Sequence, residues 1–420
     1  MVSVCFYFQV HQPHRLKNYT VFDISKNHNY FDEKINDEII EKVASKCYLP
    51  ANRLMLELIN NHKGRFKISY SITGTALEQF EAHTPDVIES FKELADTGCV
   101  EFLNETYYHS LSFLKSKKEF LHQINLHKRK MKSLFNARPK IFRNTELVFN
   151  NELATFIENQ GYNGILAEGA EHILGGRSPN FVYRAKTTST KPEVAKIKLL
   201  VKNYRLSDDI AFRFSNRGWN EWPLTPTKFA DWINRININK ENNGEIVNLF
   251  MDYETFGEHQ WEETGIFNFM KKLPEEILKK KDHNKFSNHN KLELNNSNEF
   301  LTPSDIIKKH DAKDELDFHN FVSWADVERD LSAWLGNDMQ KSAFDMLFEL
   351  EKSILRTNNP QLIKDWRKLQ TSDHFYYMCT KWFNDGDVHK YFNPYESPYD
   401  CYIAFMNIIN DLRYRVKETL

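Results

Sequence analysis

A regular alternation of short apolar runs with longer helical segments, across roughly the first 255 residues, most constrains the fold of this chain. Strands that alternate with helices predict a parallel sheet covered by helices, and continuously apolar strands fit burial on both faces. Seven such runs predict an α/β fold with a (β/α)7 barrel, an incomplete relative of the eight-stranded TIM barrel. The predicted strands are 2–10, 66–72, 99–103, 140–142, 164–167, 197–201 and 246–251, and helical periodicity occupies 37–61, 77–97, 117–136, 151–160 and 227–238.

The pattern changes after about residue 280. Residues 281–300 are rich in Lys and Asn and poor in large apolar residues, which predicts an exposed loop. Beyond it the pattern is mainly helical, with no strong strand alternation. We therefore expect a barrel domain over 1–280, the loop over 281–300, and an α-helical bundle region over 301–420. The predicted helices of that region are 304–310, 324–335, 341–355, 360–370 and one from about 398 to the end.

Composition excludes several classes of protein. The 56 Lys and Arg nearly balance 58 Asp and Glu, and a net charge of −2 argues against a nucleic-acid partner. No apolar run approaches the roughly 20 residues that span a bilayer, so no membrane partner is expected. The N-terminus lacks a basic segment and a small-residue cleavage site, so we expect no signal peptide. Five scattered cysteines without a CxxC motif suggest a reducing cytoplasm.

Polar clusters follow six of the seven predicted strands. Because the carboxyl ends of barrel strands open onto one face, these clusters are expected to form a single acidic pocket. The clusters are His11-Gln12-Pro13-His14, Thr73 to Gln79, Asn104 to His109, Arg143 to Glu146, Glu168 to His172 and Asp252 to His259.

Two carboxylates with different protonation states are what glycoside hydrolysis requires, and histidines, amides and aromatic rings are suited to sugar hydroxyls and sugar faces. Aromatic residues reach 14% of the chain. Walker A, GxGxxG, GxSxG and HExxH motifs are missing from the sequence. Two alternatives stay open. One is a metal-dependent carbohydrate deacetylase using His11, His14, Asp252 and His259; the other is a glucan-binding protein without catalysis.

Five short motifs, in order, resemble those of glycoside hydrolase family 57, the α-amylase and 4-α-glucanotransferase family. Together they span residues 8 to 377, nearly the whole chain. They are Phe8-Gln9-Val10-His11-Gln12-Pro13-His14, Gly74-Thr75-Ala76-Leu77-Glu78, Phe142-Arg143-Asn144-Thr145-Glu146-Leu147-Val148, Met251-Asp252-Tyr253-Glu254-Thr255-Phe256-Gly257-Glu258-His259, and Ser372-Asp373-His374-Phe375-Tyr376-Tyr377.

The resemblance implies a retaining mechanism in which Glu146 is the nucleophile and Asp252 the general acid/base. It also implies a (β/α)7 barrel followed by a helical bundle that reaches the active site. The substrate implied is an α-1,4-glucan or maltooligosaccharide, hydrolysed as by α-amylase or, alternatively, transferred as by 4-α-glucanotransferase. No cofactor and no metal are expected, and the oligomeric state is left open. The residues expected to bind or support substrate by resemblance are His11, Glu78, Glu254 and Asp373.

Two further residues are singled out. Trp261 follows the acid/base motif directly and is a candidate platform for a sugar ring. Arg143 stands where the family often has a Trp ahead of its nucleophile. We hypothesise that this cation lies near Glu146 and keeps it ionised.

Overall fold

The protein is described by a computed structural model over residues 1–186, 197–236, 243–279, 297–381 and 394–420. All seven predicted barrel strands are present, so the expected fold class is confirmed. Their bounds are β1 Ser3–Val10, β2 Ile68–Ile72, β3 Val100–Phe102, β4 Ile141–Arg143, β5 Gly164–Glu168, β7 Lys198–Lys202 and β8 Ile246–Asp252, with β6 (Val182–Ala185) inserted before β7.

The seven strands form a ring of parallel neighbours in two arcs. One arc has the order β3-β2-β1-β8, and the other contains β7-β5-β4. A parallel bridge between Asn104 and Phe142 joins β3 to β4. The other junction uses the Asn203 backbone N–H, which donates to the Asn248 carbonyl at 2.9 Å, and the Asn248 side chain, which donates to the Val201 carbonyl at 2.8 Å. The result is a (β/α)7 barrel.

Three strands were not predicted from the sequence. β6 is antiparallel to β7, β9 (Glu299–Phe300) pairs with the start of β1, and β10 (Asp314–Leu316) pairs with β6. They are two to four residues long, and each contains a charged residue (VYRA, EF and DEL), so none lies in an apolar run.

Two elements beyond the predicted domain boundary contact the barrel. Residues 281–296 of the predicted loop lie outside the described residues, but β9, at the end of that loop, is paired strand. The helix that follows, Pro303–Lys309, buries Ile306 and Ile307 against the barrel interior. Residues 299–316 therefore belong to the barrel, and the helical region begins after them.

Helices cover the outside of the barrel. Their N-terminal backbone groups are capped by side chains such as Thr73, Ser116, Asn150 and Asn203, which end a strand or loop and start the next helix. The helices are α1 Glu33–Val43, α2 Leu49–Asn61, α3 Gly74–His83, α4 Pro85–Asp96, α5 Lys117–Phe135, α6 Asn151–Asn159, α7 Glu171–Leu174, α8 Tyr204–Ala211, α9 Pro226–Ile236, α10 Ile266–Leu278 and α11 Pro303–Lys309.

Some predicted helices differ in detail. The predicted helix 77–97 is two helices, because Pro85 occupies the first position of α4 and interrupts the hydrogen bonds of α3. α1 and α2 are joined by a π-helical turn, Ala44–Tyr48. The predicted helix 324–335 was wrong over most of its length: only Ser332–Leu335 is helical, and Asp326 and Arg329 have positive φ angles of 56° and 54°.

The helical region packs around its own apolar core of residues such as Trp334, Phe344, Trp366 and Phe405. None of the helices in the described residues combines the length and apolarity needed to cross a bilayer. The helices of this region are α12 Ser332–Leu335, α13 Asp338–Glu349, α14 Glu351–Arg356, α15 Pro360–Lys368, α16 Ser372–Tyr376 and α17 Pro398–Thr419.

The start of α16 is fixed to the carboxyl end of the barrel. The Ser372 backbone N–H donates to the His109 carbonyl at 2.9 Å, and the Thr371 hydroxyl donates to the Tyr108 carbonyl at 3.0 Å. A two-bond ion pair between Arg367 and Glu119 reinforces this junction. Side chains of the helical region are thereby held over the ends of β3 and β4.

Candidate active site

One cavity of about 960 Å³ opens at the carboxyl ends of the barrel strands, below the helical region. Barrel loops and the helical region both contribute to its wall. Residues lining it include His11, His109, Glu146, Lys202, Asp252, Glu254, Trp324, Asp373 and Tyr376.

Glu146 lies in the tight turn that follows β4, with a left-handed backbone conformation (φ 57°, ψ 23°). A non-glycine residue pays a conformational cost there, and such residues concentrate at functional sites. Its carboxylate accepts hydrogen bonds from the Ser372 hydroxyl at 2.9 Å and the Trp324 indole N–H at 2.8 Å, and its Oε1 lies 3.2 Å from His109 Nε2. These contacts hold the carboxylate in one orientation towards the cavity.

His109 connects Glu146 to a second buried carboxylate. Its Nε2 faces Glu146, and its Nδ1 lies 3.4 Å from Glu105, which also accepts a hydrogen bond from the Gln9 amide at 3.2 Å. Burial alone would lower the pKa of His109, but its bonds to Glu105 and Glu146 outweigh burial and raise it to about 9. His109 is therefore an imidazolium ion at neutral pH, with a carboxylate on each side.

The charge of His109 acts on both carboxylates. Burial opposes ionisation of Glu105, yet the His109 hydrogen bond and charge lower the pKa of Glu105 to about 2. Burial likewise opposes ionisation of Glu146, and His109 followed by Arg143 brings the pKa of Glu146 below its ordinary value. Glu146 is thus an ionised carboxylate over the working range of most enzymes.

Asp252 ends β8 and lines the same cavity. Burial, followed by the negative charge of Glu146, raises the pKa of Asp252 to about 6, against the opposing charges of Arg143 and Lys202. The two carboxyl groups therefore have pKa values shifted in opposite directions. Below about pH 6 the cavity therefore holds one ionised and one protonated carboxyl group, which can serve as nucleophile and proton donor.

Glu254 lies in the turn after Asp252 and is also at the cavity wall. Its Oε1 accepts hydrogen bonds from the Tyr48 hydroxyl at 2.5 Å and from the His11 backbone N–H at 3.3 Å. Burial and the neighbouring Asp252 raise its pKa to about 8. Glu254 is therefore a neutral carboxyl group at neutral pH, able to donate a hydrogen bond.

His11 and Asp373 form a pair at the cavity wall. His11 Nε2 lies 2.9 Å from an Asp373 oxygen, its Nδ1 lies 2.9 Å from the Thr73 hydroxyl, and its ring stacks on His109 with centroids 3.9 Å apart. Burial and the His109 charge lower the pKa of His11. Burial opposes ionisation of Asp373, but His11 and then His109 bring the pKa of Asp373 well below its usual range.

Among the described residues, one group has donor atoms spaced closely enough for a metal ion: His11, His109 and Asp373, within 4.8 Å of one another. It differs from the set expected from the sequence for the deacetylase alternative. His11 is already paired with Asp373, and both nitrogens of His109 face glutamates. We assign no metal to this group, because an imidazolium such as His109 has no free lone pair for a cation.

Two predicted substrate-binding residues lie away from the cavity lining. Glu78 accepts a hydrogen bond from the Tyr107 hydroxyl at 3.1 Å and forms an ion pair with Lys364 at 3.2 Å, so it connects α3 to α15. Trp261 is 59% exposed at the start of a short turn beyond the acid/base motif. The structure brings together the other five predicted residues: His11, Glu146, Asp252, Glu254 and Asp373.

The sequence did not single out several residues that contact these five. Trp324 lies in a segment that was predicted to be helix, and Ser372 has the sequence position of an ordinary helix cap. Glu105 and His109 belong to a polar cluster noted after the third strand but were not selected. Lys202 directly follows a predicted strand, and that position at the carboxyl end of a barrel strand was the one usable signal.

The fold and cavity define a class of protein: a barrel enzyme with two buried carboxyl groups whose pKa values are shifted in opposite directions, an arrangement suited to cleaving glycosidic bonds. The model of glycosyl hydrolase family 57 matches residues 5–319, three quarters of the chain, and the chain belongs to that family. A Methanocaldococcus jannaschii protein described as "Putative alpha-amylase" is 42% identical over 433 residues, covering 99% of this chain and 85% of that protein.

Solved structures show the same fold at low identity. The 4-alpha-glucanotransferase from Thermococcus litoralis matches with a TM-score of 0.62 and 16% identity, over 89% of this chain and 56% of that enzyme. This chain thus matches little more than half the length of the glucanotransferase. The alpha-amylase AmyC from Thermotoga maritima matches with a TM-score of 0.61 and 11% identity, over 100% of this chain and 94% of that one.

Proposed function

We propose that this chain is a retaining α-amylase acting on α-1,4-glucans, with Glu146 as nucleophile and Asp252 as general acid/base. The observation that carries the proposal is the opposite shift in pKa of these two carboxyl groups, which line one cavity. A retaining glycosidase needs an ionised nucleophile beside a protonated acid. The family membership and the relative described as an alpha-amylase point to the same chemistry.

In the first step, a Glu146 oxygen attacks the anomeric carbon while Asp252 donates its proton to the glycosidic oxygen. The bond between that carbon and oxygen breaks, the leaving sugar departs with its new hydroxyl, and a glycosyl ester forms on Glu146. Asp252 then removes a proton from water, whose oxygen attacks the same carbon and releases Glu146. The second attack restores the original anomeric configuration and the starting protonation states.

The remaining cavity residues suit substrate binding. The neutral carboxyl group of Glu254 can donate to a sugar hydroxyl, and the ionised Asp373 can accept from one. His11 bridges Asp373 and Thr73 and fixes the orientation of that wall. Trp324 and Tyr376 offer aromatic surface close to Glu146.

A 4-α-glucanotransferase would use the same two carboxyl groups, with a glucan hydroxyl replacing water in the second step. Incubation with maltooligosaccharides of one length separates the two activities. Only shorter products indicate hydrolysis, and products longer than the substrate indicate transfer. We expect mainly shorter products.

The roles of the two carboxyl groups are tested with Glu146→Gln and Asp252→Asn. Loss of an acid/base catalyst lowers the rate by about 10² to 10⁴-fold on glucans. Asp252→Asn should still react with maltosyl fluoride, whose leaving group needs no proton, and accumulate a maltosyl ester on Glu146. Mass spectrometry of the digested protein locates that ester; Asp311→Asn, an exposed position away from the cavity, is the control. An ester on another residue, or unchanged turnover in Glu146→Gln, contradicts the proposal.

A metal-dependent deacetylase would behave differently. We expect activity on glucans to survive dialysis against a chelator, with metal analysis of the dialysed protein as the check. Loss of activity on chelation and its return with a divalent metal would favour that alternative. Glucan binding by the wild type without any turnover would favour the non-catalytic alternative.

We also propose a reducing, cytoplasmic location. The five cysteines are buried and free, with none in a disulfide. Protein purified without reductant should yield five reactive thiols after denaturation. A lower number, restored by reductant, would contradict this location.

A further inference from the structure

Polar side chains form a ring at the carboxyl ends of the barrel strands. Along each strand, residues two apart face the same side, so an apolar interior layer is followed by a polar one. The interior layer includes Tyr7, Leu103, Ile141, Leu166, Leu200 and Phe250. Two residues further along each of these strands or its following loop lie Gln9, Glu105, Arg143, Glu168, Lys202 and Asp252.

Acidic and basic side chains alternate around this ring. Following the strand order from β3 through β4, β5 and β7 to β8, they are acidic at Glu105, basic at Arg143, acidic at Glu168, basic at Lys202 and acidic at Asp252. Neighbouring charges are close: Arg143 lies 4.0 Å from Glu105, and Lys202 lies 4.0 Å from Glu168. The two cations therefore separate the three acids of the ring.

Arg143 is fully buried, and its guanidinium lies 4.9 Å from the centre of the Trp324 ring. Its three nitrogens make no hydrogen bond to a described protein atom. A buried cation without hydrogen bonds is costly unless nearby charges compensate it. The compensating charges are Glu105, Glu146 and Asp252, because the charge of Arg143 favours ionisation of all three.

Lys202 reaches the site from the other side of the ring. Its Nζ lies 5.4 Å from the same Trp324 ring centre and forms an ion pair with Asp208 at 3.0 Å. It is 4% exposed and lines the cavity. Its charge favours ionisation of Asp252. Trp324, which donates to Glu146, thus has both cations near its ring.

We propose that Arg143 and Lys202 are positioning residues for the two carboxyl groups: Arg143 keeps Glu146 ionised for attack, and Lys202 eases release of the Asp252 proton. The inference rests on the proposed function for its catalytic meaning. Other charged or titratable groups that interact with these carboxyl groups are His109, Asp373, Glu254, Tyr376, Tyr377 and Tyr7. Glu168 and Asp208 lie beside Lys202, at 4.0 and 3.0 Å. His109 and Arg143 both lower the pKa values of Glu146 and Asp252, so Arg143 is not the only cation that acts on them.

The test measures protonation directly. Protein carrying ¹³C-labelled Glu and Asp is titrated by carbon-detected NMR, and the signals of Glu146 and Asp252 are identified by their loss in Glu146→Gln and Asp252→Asn. Arg143→Met should raise the apparent pKa of Glu146 by about one unit, because the positive charge of Arg143 favours the ionised form of Glu146. In Arg143→Lys, which keeps the positive charge, the apparent pKa of Glu146 should stay close to its wild-type value. Lys202→Met should raise the apparent pKa of Asp252 and change Glu146 less.

Kinetics give a second measurement. In Arg143→Met both limbs of the kcat/KM profile against pH should move to higher pH, whereas in Lys202→Met only the basic limb should move. In Arg143→Met, KM should change little, because Arg143 does not line the cavity. Lys140→Met, exposed at the other end of β4, is the matched control.

The inference is wrong if the variants fold but the apparent pKa values of Glu146 and Asp252 do not change. If Arg143→Met does not fold, Lys202→Met alone decides, since an unmoved Asp252 there contradicts the arrangement. The outcome is separable from the proposed function. Shifted titrations together with full turnover in Glu146→Gln would keep the charge arrangement and reject the nucleophile.

Discussion

Glu146 and His109 both adopt left-handed backbone conformations, with φ angles of 57° and 50°, and their side chains meet at 3.2 Å. Neither residue is a glycine, so both positions are strained. The strain is maintained by the surrounding contacts: the Ser372 backbone N–H donates to the carbonyl of His109, and the Trp324 backbone N–H donates to the carbonyl of Glu146. The helical region thus fixes the geometry of a pair that belongs to the barrel.

Replacing His109 should impair catalysis more than binding. His109→Gln removes the positive charge beside Glu146 and leaves Glu105 without its imidazolium partner. We expect kcat on maltooligosaccharides to fall by about 10² or more, with a small change in KM, because one preorganised electrostatic contact is lost. His122→Gln, exposed on α5, is the control and should keep wild-type turnover. Turnover within twofold of wild type in His109→Gln would contradict this role.

The profile of kcat/KM against pH should be bell-shaped, with its maximum at acidic pH. In the proposed mechanism the free enzyme needs Glu146 ionised. The pKa of Glu146 lies below the ordinary 4.5, so activity should rise with pH below that value. The free enzyme also needs Asp252 protonated, and its pKa is about 6, so activity falls as pH rises through 6. Initial rates at low substrate across pH 3 to 9 give the profile. A flat profile above pH 6 would exclude Asp252 as the acid.

Substitution of Trp324, which lines the cavity, should reduce activity, whereas substitution of Trp261, which lies on the surface, should not. Trp324→Phe removes the N–H that donates to Glu146 at 2.8 Å, and we expect kcat/KM to fall by about tenfold, the equivalent of one hydrogen bond to a charged group. Trp261→Phe alters an exposed ring outside the cavity lining and should leave turnover of short maltooligosaccharides unchanged. The reverse ranking would restore Trp261 as the sugar platform.

Glu78 should matter for stability. Glu78→Gln removes an ion pair with Lys364 and weakens the contact between α3 and the helical region. The free energy of unfolding should fall by about 1 kcal/mol, since the group is partly buried, and the melting temperature by about 1 °C. KM for maltooligosaccharides should stay at the wild-type value. An increase in KM with unchanged thermal stability would instead support the substrate-binding role expected from the family motif.

The sequence predicted the barrel well because the signal is local. Most barrel strands are short buried runs, and several are followed by a residue that caps a helix or lines the cavity, such as Thr73 and Glu254. The order of neighbouring residues is therefore enough to predict them. The short strands β6, β9 and β10 were not predicted because charged residues interrupt their apolar character. Their pairing depends on partners far away in the chain.

The predicted helix 324–335 failed for a related reason. Helical propensity over that segment is overridden by tertiary contacts: the backbone and indole of Trp324 bond to Glu146, and Asp326 and Arg329 take left-handed conformations to direct the loop. Such contacts join residues almost 180 positions apart. They have no counterpart in the spacing of neighbouring residues.

The sequence by itself determined the fold class, the strand ends that supply polar groups, and five cavity residues through motifs that resemble family 57. The tertiary structure decided which charges act on each other: His109 between Glu105 and Glu146, Arg143 and Lys202 near Trp324, and Glu78 and Trp261 away from the cavity. The physical reason is the separation along the chain of the residues that interact. Periodicity is a property of adjacent residues, whereas a pKa depends on burial and on charges that only the closed barrel brings within a few ångströms.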